Sequence, residues 1–246
     1  MKRESKKTAH FYWNIAMILV IAVLVAAVVF LSVRLFQKEQ KDYYQSKVFS
    51  YSVQNSNLAK GQIVFVGDSI TDLYVLDDHY GSLNRACYNR GIGGDTTAGV
   101  LERLQVSVFD LQPSTVVLMI GTNDIDGGES QADILNRYQQ IIEKITQTLP
   151  QTRLYCVSVI PQNKQLEEYT NLNVAENTRK ILELNPKIKA LTESVGGGYI
   201  DLFPLLADEE NYLIREYSND GIHLNENGLK VWTEQLLPLL QAEETK

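Results

Sequence analysis

Cysteine and histidine are scarce in this chain. Its 246 residues include only two cysteines, Cys87 and Cys156, and three histidines. Both cysteines lie in apolar, strand-like runs, which is not the pattern of a disulfide framework, so we expect two buried free thiols. The sequence contains neither a cysteine cluster nor an H-x-x-x-H pair. It therefore predicts no metal and no other cofactor.

Basic side chains are also few beyond the N-terminus. Residues 42–246 carry 28 acidic and 16 basic side chains, a net charge of −12. A surface of this sign repels the phosphates of nucleic acids and anionic lipid headgroups. We therefore expect no nucleic-acid partner.

One long apolar run stands near the N-terminus. Residues 11–33 contain no charged side chain, and as a helix they can cross a hydrocarbon core of about 30 Å. Lys2, Arg3, Lys6 and Lys7 precede the run, and the positive-inside rule keeps them in the cytoplasm. The alternative is a cleaved signal peptide, whose apolar region is usually about 7–15 residues long. The greater length favours a retained, single-pass anchor in the cell membrane.

Composition divides the chain into four predicted segments. We expect a cytoplasmic N-terminus at residues 1–10, a transmembrane helix at 11–36, a stalk or linker at 37–60 and a folded domain at 61–246. The stalk is polar with scattered aromatics, and the membrane helix can continue into it before it becomes a linker. This topology places the folded domain outside the cell.

Short β-branched runs alternate with amphipathic stretches from Gln62 onward. This alternation predicts parallel strands joined by crossover helices. The five strands are expected near Ile63–Val66, Ala86–Asn89, Thr115–Ile120, Leu154–Val159 and Tyr199–Asp201. Helices are expected at Asn171–Leu184 and at Asn227–Leu240, the second with Asn227 as its N-cap.

A serine follows the first predicted strand, in the motif Gly67-Asp68-Ser69-Ile70-Thr71. In an open parallel sheet, ligands bind beyond the carboxyl ends of the strands, so this loop is a candidate site. Ser69 stands at a strand-to-helix turn, where its backbone N–H lies near a helix N-terminus. Such a serine can attack a carbonyl carbon, although the same pattern also suits a simple helix cap.

A serine nucleophile requires a base, for which the chain offers three histidines. His10 precedes the anchor on its cytoplasmic side, and His79 lies in an acidic, surface-like stretch. His223 follows Asp220 by three residues, so a tight backbone turn can point both side chains the same way. The alternative is an ordinary turn with a solvated histidine.

Two further loops carry hydrogen-bond donors. Residues 89–96 read NRGIGGDT and residues 121–124 read GTND. Glycine lets a backbone N–H approach a substrate, and a side-chain amide can donate to a developing oxyanion. The G-x-G-G spacing does not match the fingerprint of a dinucleotide-binding loop.

Four motifs, taken in order, resemble those of the SGNH (GDSL-type) hydrolase family: GDSIT, NRGIGGDTT, GTND and DGIH. The second and third motifs are most similar in sequence to the platelet-activating-factor acetylhydrolase-like branch of this family. The resemblance implies an α/β fold, a flavodoxin-like three-layer α/β/α domain after the membrane helix. It also implies Ser69 as nucleophile, His223 as base and Asp220 as the residue that orients it. The implied oxyanion hole combines the Ser69 N–H with Gly94 and Asn123.

The expected function is that of a serine esterase outside the cytoplasm, which hydrolyses carboxylic esters through an acyl-enzyme on Ser69. Short-chain esters are preferred, in particular O-acetyl groups on envelope carbohydrate, because no long apolar insertion suggests an acyl channel. Three alternatives stay open: a lipid acyl esterase or lysophospholipase, an O-acyltransferase, and a non-catalytic surface binding module.

Overall fold

The computed structural model describes residues 2–245, and for residues 2–12, 15 and 16 it describes the backbone alone. Met1, in the predicted cytoplasmic segment, and Lys246, in the predicted folded domain, lie outside the described residues. The chain divides into two compact units, the first ending at Ser46 and the second beginning at Lys47.

Helix α1 (Lys2–Asn55) makes up the first unit and continues into the second. Within the described residues, it is the one helix long and apolar enough to cross a membrane, and none of its most apolar stretch is buried. Its large apolar side chains from Met17 to Phe36 are exposed. These properties agree with the transmembrane helix predicted at residues 11–36, and a signal sequence shares them.

The last turns of α1 belong to the second unit, which begins at Lys47. Within them, Tyr51 is 5% exposed and Asn55 is 8% exposed, because both pack on the folded domain. The predicted stalk at residues 37–60 is therefore helical up to Asn55, and its end contacts the domain. The domain boundary at residue 61 stays a prediction.

The second unit is built on five parallel strands, in the order β2-β1-β3-β4-β5. The strands are β1 (Ile63–Gly67), β2 (Cys87–Gly91), β3 (Thr115–Met119), β4 (Arg153–Val157) and β5 (Gly198–Ile200). The predicted five-stranded parallel sheet is confirmed, with strand ends that differ by one or two residues. The strand order is that of flavodoxin-like sheets and reverses between β1 and β3, where a crevice opens at the carboxyl ends.

Helices connect the strands and cover the sheet. They are α2 (Ser69–Asp72), α3 (Leu76–Tyr80), α4 (Thr97–Glu102), α5 (Leu104–Ser107), α6 (Thr122–Asp126), α7 (Gln131–Thr148), α8 (Val174–Ser194), α9 (Phe203–Leu206) and α10 (Glu226–Glu244). Short 3-10 helices span Phe109–Leu111, Lys164–Glu168 and Arg215–Tyr217.

Two apolar clusters form the core, one on each face of the sheet. Side chains alternate along each strand, so Val64 of β1 joins one cluster and Phe65 joins the other. Ile141 of α7 packs in the first cluster and Trp232 of α10 in the second. The molecule therefore has the predicted three layers, helices on both sides of a parallel sheet.

The two cysteines are free thiols, as predicted. Cys156 is fully buried in interior strand β4, whereas Cys87 is only half-buried. The prediction of two buried thiols is wrong for Cys87, because β2 is an edge strand. Burial raises the pKa of each thiol to about 12, which keeps both protonated at neutral pH.

The predicted limits of two helices need correction: α8 begins at Val174 and not at Asn171, and α10 ends at Glu244 and not at Leu240. Helix α8 continues past the expected end at Leu184 and through Pro186, because Ile188 beyond the proline is buried in the core. Helix α10 is capped by Asn225 and not by Asn227. The Asn225 side-chain oxygen accepts hydrogen bonds from the N–H groups of Asn227 and Gly228, at 3.0 and 3.2 Å.

This cap gives a stability prediction. Asn225→Ala should lower the free energy of unfolding by about 1 kcal/mol, because two N–H groups of the first turn lose their acceptor. Asn227→Ala, the matched control, should change it by less than about 0.5 kcal/mol. Urea denaturation of the full chain, followed by the fluorescence of buried Trp232, measures both. Equal losses would contradict the assignment of the cap.

Candidate active site

Three loops meet at the carboxyl edge of the sheet, where the strand order reverses. The last residues of β1, β2 and β3 are in register, with Gly67 paired to Gly91 on one side and to Met119 on the other. The chain that follows β1 carries Ser69, the chain that follows β2 carries Gly94, and the chain that follows β3 carries Asn123. The register therefore makes the three motifs neighbours.

Ser69, His223 and Asp220 form a continuous line of hydrogen bonds. The Nε2 atom of His223 lies 2.8 Å from Ser69 Oγ, and its Nδ1 atom lies 2.6 Å from Asp220 Oδ2. An ionised carboxylate only accepts, so the ring proton resides on Nδ1. Nε2 is then free to accept the proton of the Ser69 hydroxyl. The structure thus brings together three residues that the sequence placed in two distant motifs.

A tight bend presents Asp220 and His223 together. The Oδ1 atom of Asp220 accepts hydrogen bonds from the N–H groups of Ile222 and His223, at 3.0 and 2.8 Å. Gly221 has a φ of +89°, and a Cβ there would come within 3.1 Å of Leu166 and Asn163. Both the backbone conformation and the close approach require glycine at this position.

The same hydrogen bonds keep Asp220 ionised. Partial burial raises its pKa, but the bonds from the His223 ring and from two backbone N–H groups outweigh burial and lower the pKa to about 2. Asp220 consequently bears a full negative charge at any pH near neutral, which stabilises a protonated His223.

The backbone N–H groups of Ser69 and Gly94 are available to a substrate. Asp68 caps α2 by accepting a hydrogen bond from Ile70 N at 3.0 Å, which leaves Ser69 as the first residue of the helix. Gly94 is exposed and has a φ of +76°. Within residues 2–245, neither the Ser69 N–H nor the Gly94 N–H has an acceptor. Both predicted backbone donors can therefore bind an oxyanion.

The Asn123 side chain contacts the loop that contains Gly94. Its Nδ2 atom donates to the main-chain oxygen of Asp95 at 2.9 Å. A primary amide has two hydrogens, so the second remains for a substrate oxygen. This contact joins the second and third motifs, and it positions the amide that the family resemblance assigns to the oxyanion hole.

Sequence reasoning missed Arg103, which lies beneath these loops. Its guanidinium pairs with the carboxylate of Asp95 at 2.7 Å, and both side chains are at most 2% exposed. It also donates to the main-chain oxygens of Arg90 at 2.7 Å and Gly67 at 3.0 Å. An arginine between the apolar residues Leu101 and Leu104 was the available signal, because a buried charge needs a partner.

Asp124 is a second residue whose role the sequence did not indicate. It is fully buried and accepts a hydrogen bond from the N–H of Thr97, the first residue of α4, at 2.9 Å. Arg137 of α7 pairs with it at 3.2 Å. Asp124 thus connects the third motif to the second through a helix N-terminus, where negative charge is stabilising.

The other histidines lie apart from this site. His79 lies in the predicted acidic surface stretch, where Asp77 and Asp78 are exposed, but its own side chain is only 6% exposed. Its Nδ1 atom lies 3.0 Å from Thr233 Oγ1, and its ring packs edge-on against Tyr74. His10 lies outside the residues whose side chains are described. Among the described residues, no three His, Cys, Asp or Glu side chains form a metal-binding group.

Comparison with known proteins identifies the family. The model of the GDSL-like Lipase/Acylhydrolase family matches residues 65–231, which include all four motifs. The chain belongs to this family. The family predicted from the motifs is therefore confirmed, and the protein is a GDSL-type esterase.

The relatives support this assignment. Platelet-activating factor acetylhydrolase IB subunit alpha1 of Bos taurus is 25% identical over 179 residues, which cover 72% of this chain and 73% of the relative. A solved structure from Streptococcus pneumonia, described as a platelet activating factor, is 26% identical in sequence and has a TM-score of 0.77. The match covers 85% of this chain and 98% of the chain in that structure. A GDSL-like lipase from Bacteroides thetaiotaomicron shares the fold, with a TM-score of 0.70 at 22% identity, covering 80% and 98% of the two chains.

Asp68, immediately before the serine, is an unusual carboxyl group. It is 1% exposed, and its Oδ2 atom has no hydrogen-bond partner among the described residues. Burial raises its pKa from 3.8 to about 7, although the hydrogen bond from Ile70 N opposes the shift. Because the folded-state pKa is the higher one, ionisation of Asp68 destabilises the fold as pH rises from about 4 through 7.

Asp68→Asn tests this carboxyl. Asparagine keeps the helix cap but cannot ionise, so the variant should gain stability relative to the wild type as pH rises. The gain at pH 8 should exceed that at pH 5 by on the order of 2 kcal/mol. Melting temperatures of both proteins at pH 5, 6, 7 and 8 measure it. A difference between the two proteins that stays constant over this range would show that Asp68 has an ordinary pKa.

Proposed function

We propose that this protein hydrolyses carboxylic esters through an acyl-enzyme on Ser69, with His223 as general base and Asp220 as the residue that orients it. The observation that carries the proposal is the unbroken line of hydrogen bonds from Asp220 through His223 to the Ser69 hydroxyl, at 2.6 and 2.8 Å. The Ser69 N–H, the Gly94 N–H and the Asn123 amide supply the oxyanion hole.

The mechanism follows from these contacts. His223 removes the hydroxyl proton as Ser69 Oγ attacks the ester carbonyl, and the negative oxygen of the tetrahedral intermediate accepts bonds from the three donors. Protonated His223 gives its proton to the leaving alcohol, and the acyl-enzyme remains. His223 then deprotonates a water molecule, which attacks the acyl carbon and releases the acid. Asp220 stabilises the protonated ring in both steps.

The proposed substrates are short-chain esters, in particular O-acetyl groups on envelope carbohydrate. A cavity of about 230 Å³ lies beside Asp220, and most of its lining residues are polar. They include Asn163, Gln165, Arg215, Ser218 and Asn219. This cavity adjoins Asp220 and not Ser69, so the preference for short esters rests on the lack of a long apolar insertion in residues 61–246. The name of the bovine relative states an acetylhydrolase activity, which agrees with a short acyl group.

We further propose that α1 anchors the protein in the cell membrane, with residues 1–10 in the cytoplasm and the catalytic domain outside. The exposed apolar side chains of α1 and the four basic residues before them support this topology. Protease added to intact cells should digest the domain. Digestion only after the membrane is opened would contradict the topology, and secretion of a shortened chain would indicate a cleaved signal sequence.

The proposed reaction is tested with p-nitrophenyl acetate, butyrate and octanoate, using the full chain in detergent. Acetate should give the highest kcat/KM, and Ser69→Ala should lower kcat by at least about 10³-fold at an unchanged melting temperature, because the nucleophile is removed. Asn123→Ala should lower kcat by about 10²–10³-fold with little change in KM, because one oxyanion donor is lost.

Each other outcome of this assay has a defined meaning. A preference for octanoate would favour a lipid esterase or lysophospholipase. Formation of an acetylated sugar in place of free acetate, when a sugar is added, would favour an O-acyltransferase. Equal rates for the wild type and Ser69→Ala would contradict the esterase mechanism and favour a non-catalytic binding module.

A further inference from the structure

The last turns of helix α1 contact the chain that leads to Gly94. Tyr51 is 5% exposed, and its hydroxyl donates to the main-chain oxygen of Gly91, the last residue of β2. The guanidinium of Arg90 stacks on the Tyr51 ring, 4.6 Å from its centroid. Tyr51, in the last turns of α1, therefore binds the backbone three residues before Gly94, the proposed oxyanion donor.

A second contact involves Lys47, one turn earlier on the same helix. Its Nζ atom pairs with Asp72 Oδ1 at 2.6 Å, and the other oxygen of this carboxylate accepts a hydrogen bond from Gly93 N at 3.2 Å. Asp72 ends α2, the short helix that begins with Ser69. One carboxylate thus joins the end of α1, the helix of the nucleophile and the residue next to Gly94.

A third contact fixes the end of the helix. The side-chain amide of Asn55 donates to Val106 O at 2.7 Å, and its oxygen accepts from Arg90 Nη2 at 3.0 Å. Arg90 is the residue whose main-chain oxygen Arg103 binds. Three polar residues within Lys47–Asn55 therefore hold this segment against α2, β2 and α5.

The loop that carries Gly94 has little to restrain it internally. Three of its residues, Gly91, Gly93 and Gly94, are glycines, which lose the most conformational entropy when they are ordered. A main-chain bond within the loop runs from Asp95 N to Ile92 O at 3.1 Å, and Ile92 N donates to Gly67 O of β1 at 3.1 Å. An oxyanion donor must be held in place before the reaction, so bonds from outside the loop matter.

We propose that Lys47 and Tyr51 are positioning residues, which hold the Gly91–Gly94 loop so that the Gly94 N–H faces the developing oxyanion. This inference rests on the proposed function and makes the end of the anchor helix a part of the catalytic apparatus. The match to the Streptococcus pneumonia structure covers 85% of this chain, a larger share than residues 61–246 make up. The similarity therefore extends into α1.

The test removes one hydroxyl. Tyr51→Phe is prepared as the full chain in detergent, with Tyr88→Phe as the matched control, because the Tyr88 hydroxyl donates to Ala59 O and not to the loop. For p-nitrophenyl acetate, Tyr51→Phe should lower kcat about tenfold and leave KM within about twofold, since the loop binds the transition state better than the substrate. Tyr88→Phe should leave both constants unchanged, at the same melting temperature.

Hydrogen–deuterium exchange supplies a second readout that does not depend on esterase activity. The amides of residues 91–95 should exchange faster in Tyr51→Phe than in the wild type or in Tyr88→Phe, because a restraint on the loop is lost. Exchange in the core strand β3 should be the same in all three proteins.

The outcomes separate this inference from the proposed function. An unchanged kcat in Tyr51→Phe, or an equal loss of kcat in both variants, would overturn the positioning role. Faster exchange without loss of kcat would overturn it as well. If hydrolysis by the wild type does not require Ser69, the proposed function fails, and exchange alone decides whether Tyr51 holds the loop.

Discussion

The buried guanidinium of Arg103 holds the carboxyl edge of the sheet together. The strand ends leave main-chain oxygens at the base of the crevice, and Arg103 donates to two of them, Gly67 O and Arg90 O. Its charge is balanced by Asp95, which is equally buried. Every nitrogen of the guanidinium has a hydrogen-bond partner, and losing one partner of a buried ion pair is costly. The loops with Ser69 and Gly94 therefore have a fixed separation.

Asp220, which bonds to His223, and Asp68, which precedes Ser69, have opposite environments. Asp220 accepts hydrogen bonds from the His223 ring and from two backbone N–H groups, which keep its pKa near 2, whereas burial raises the pKa of Asp68 to about 7. Asp220 must be charged to stabilise a protonated His223. A full charge on Asp68, next to the serine, would oppose an oxyanion. Burial thus reduces negative charge beside the proposed oxyanion hole.

His223 and the proposed oxyanion donors are held by different means. A bend around Gly221, packed against Leu166 and Asn163, carries Asp220 and His223 with bonds internal to the bend. The glycine loop that contains Gly94 relies instead on residues from other elements, among them Asp72, Asn123 and Tyr51. The site therefore depends on tertiary contacts most where its backbone is intrinsically most flexible.

The sequence by itself determined the five parallel strands, the apolar N-terminal helix and the four motifs. Hydrophobic periodicity and turn-forming residues can be read from short stretches of sequence, so these features are local. Only the tertiary structure decided that Arg103 binds the strand ends, that Asp124 is buried and that Asn225 caps α10. It also decided that the predicted stalk ends as a helix docked on the domain. Tyr51 and Gly91 are 40 residues apart, and Arg103 and Gly67 are 36 apart. Contacts of that separation arise from the packing of the whole chain, which no local pattern encodes.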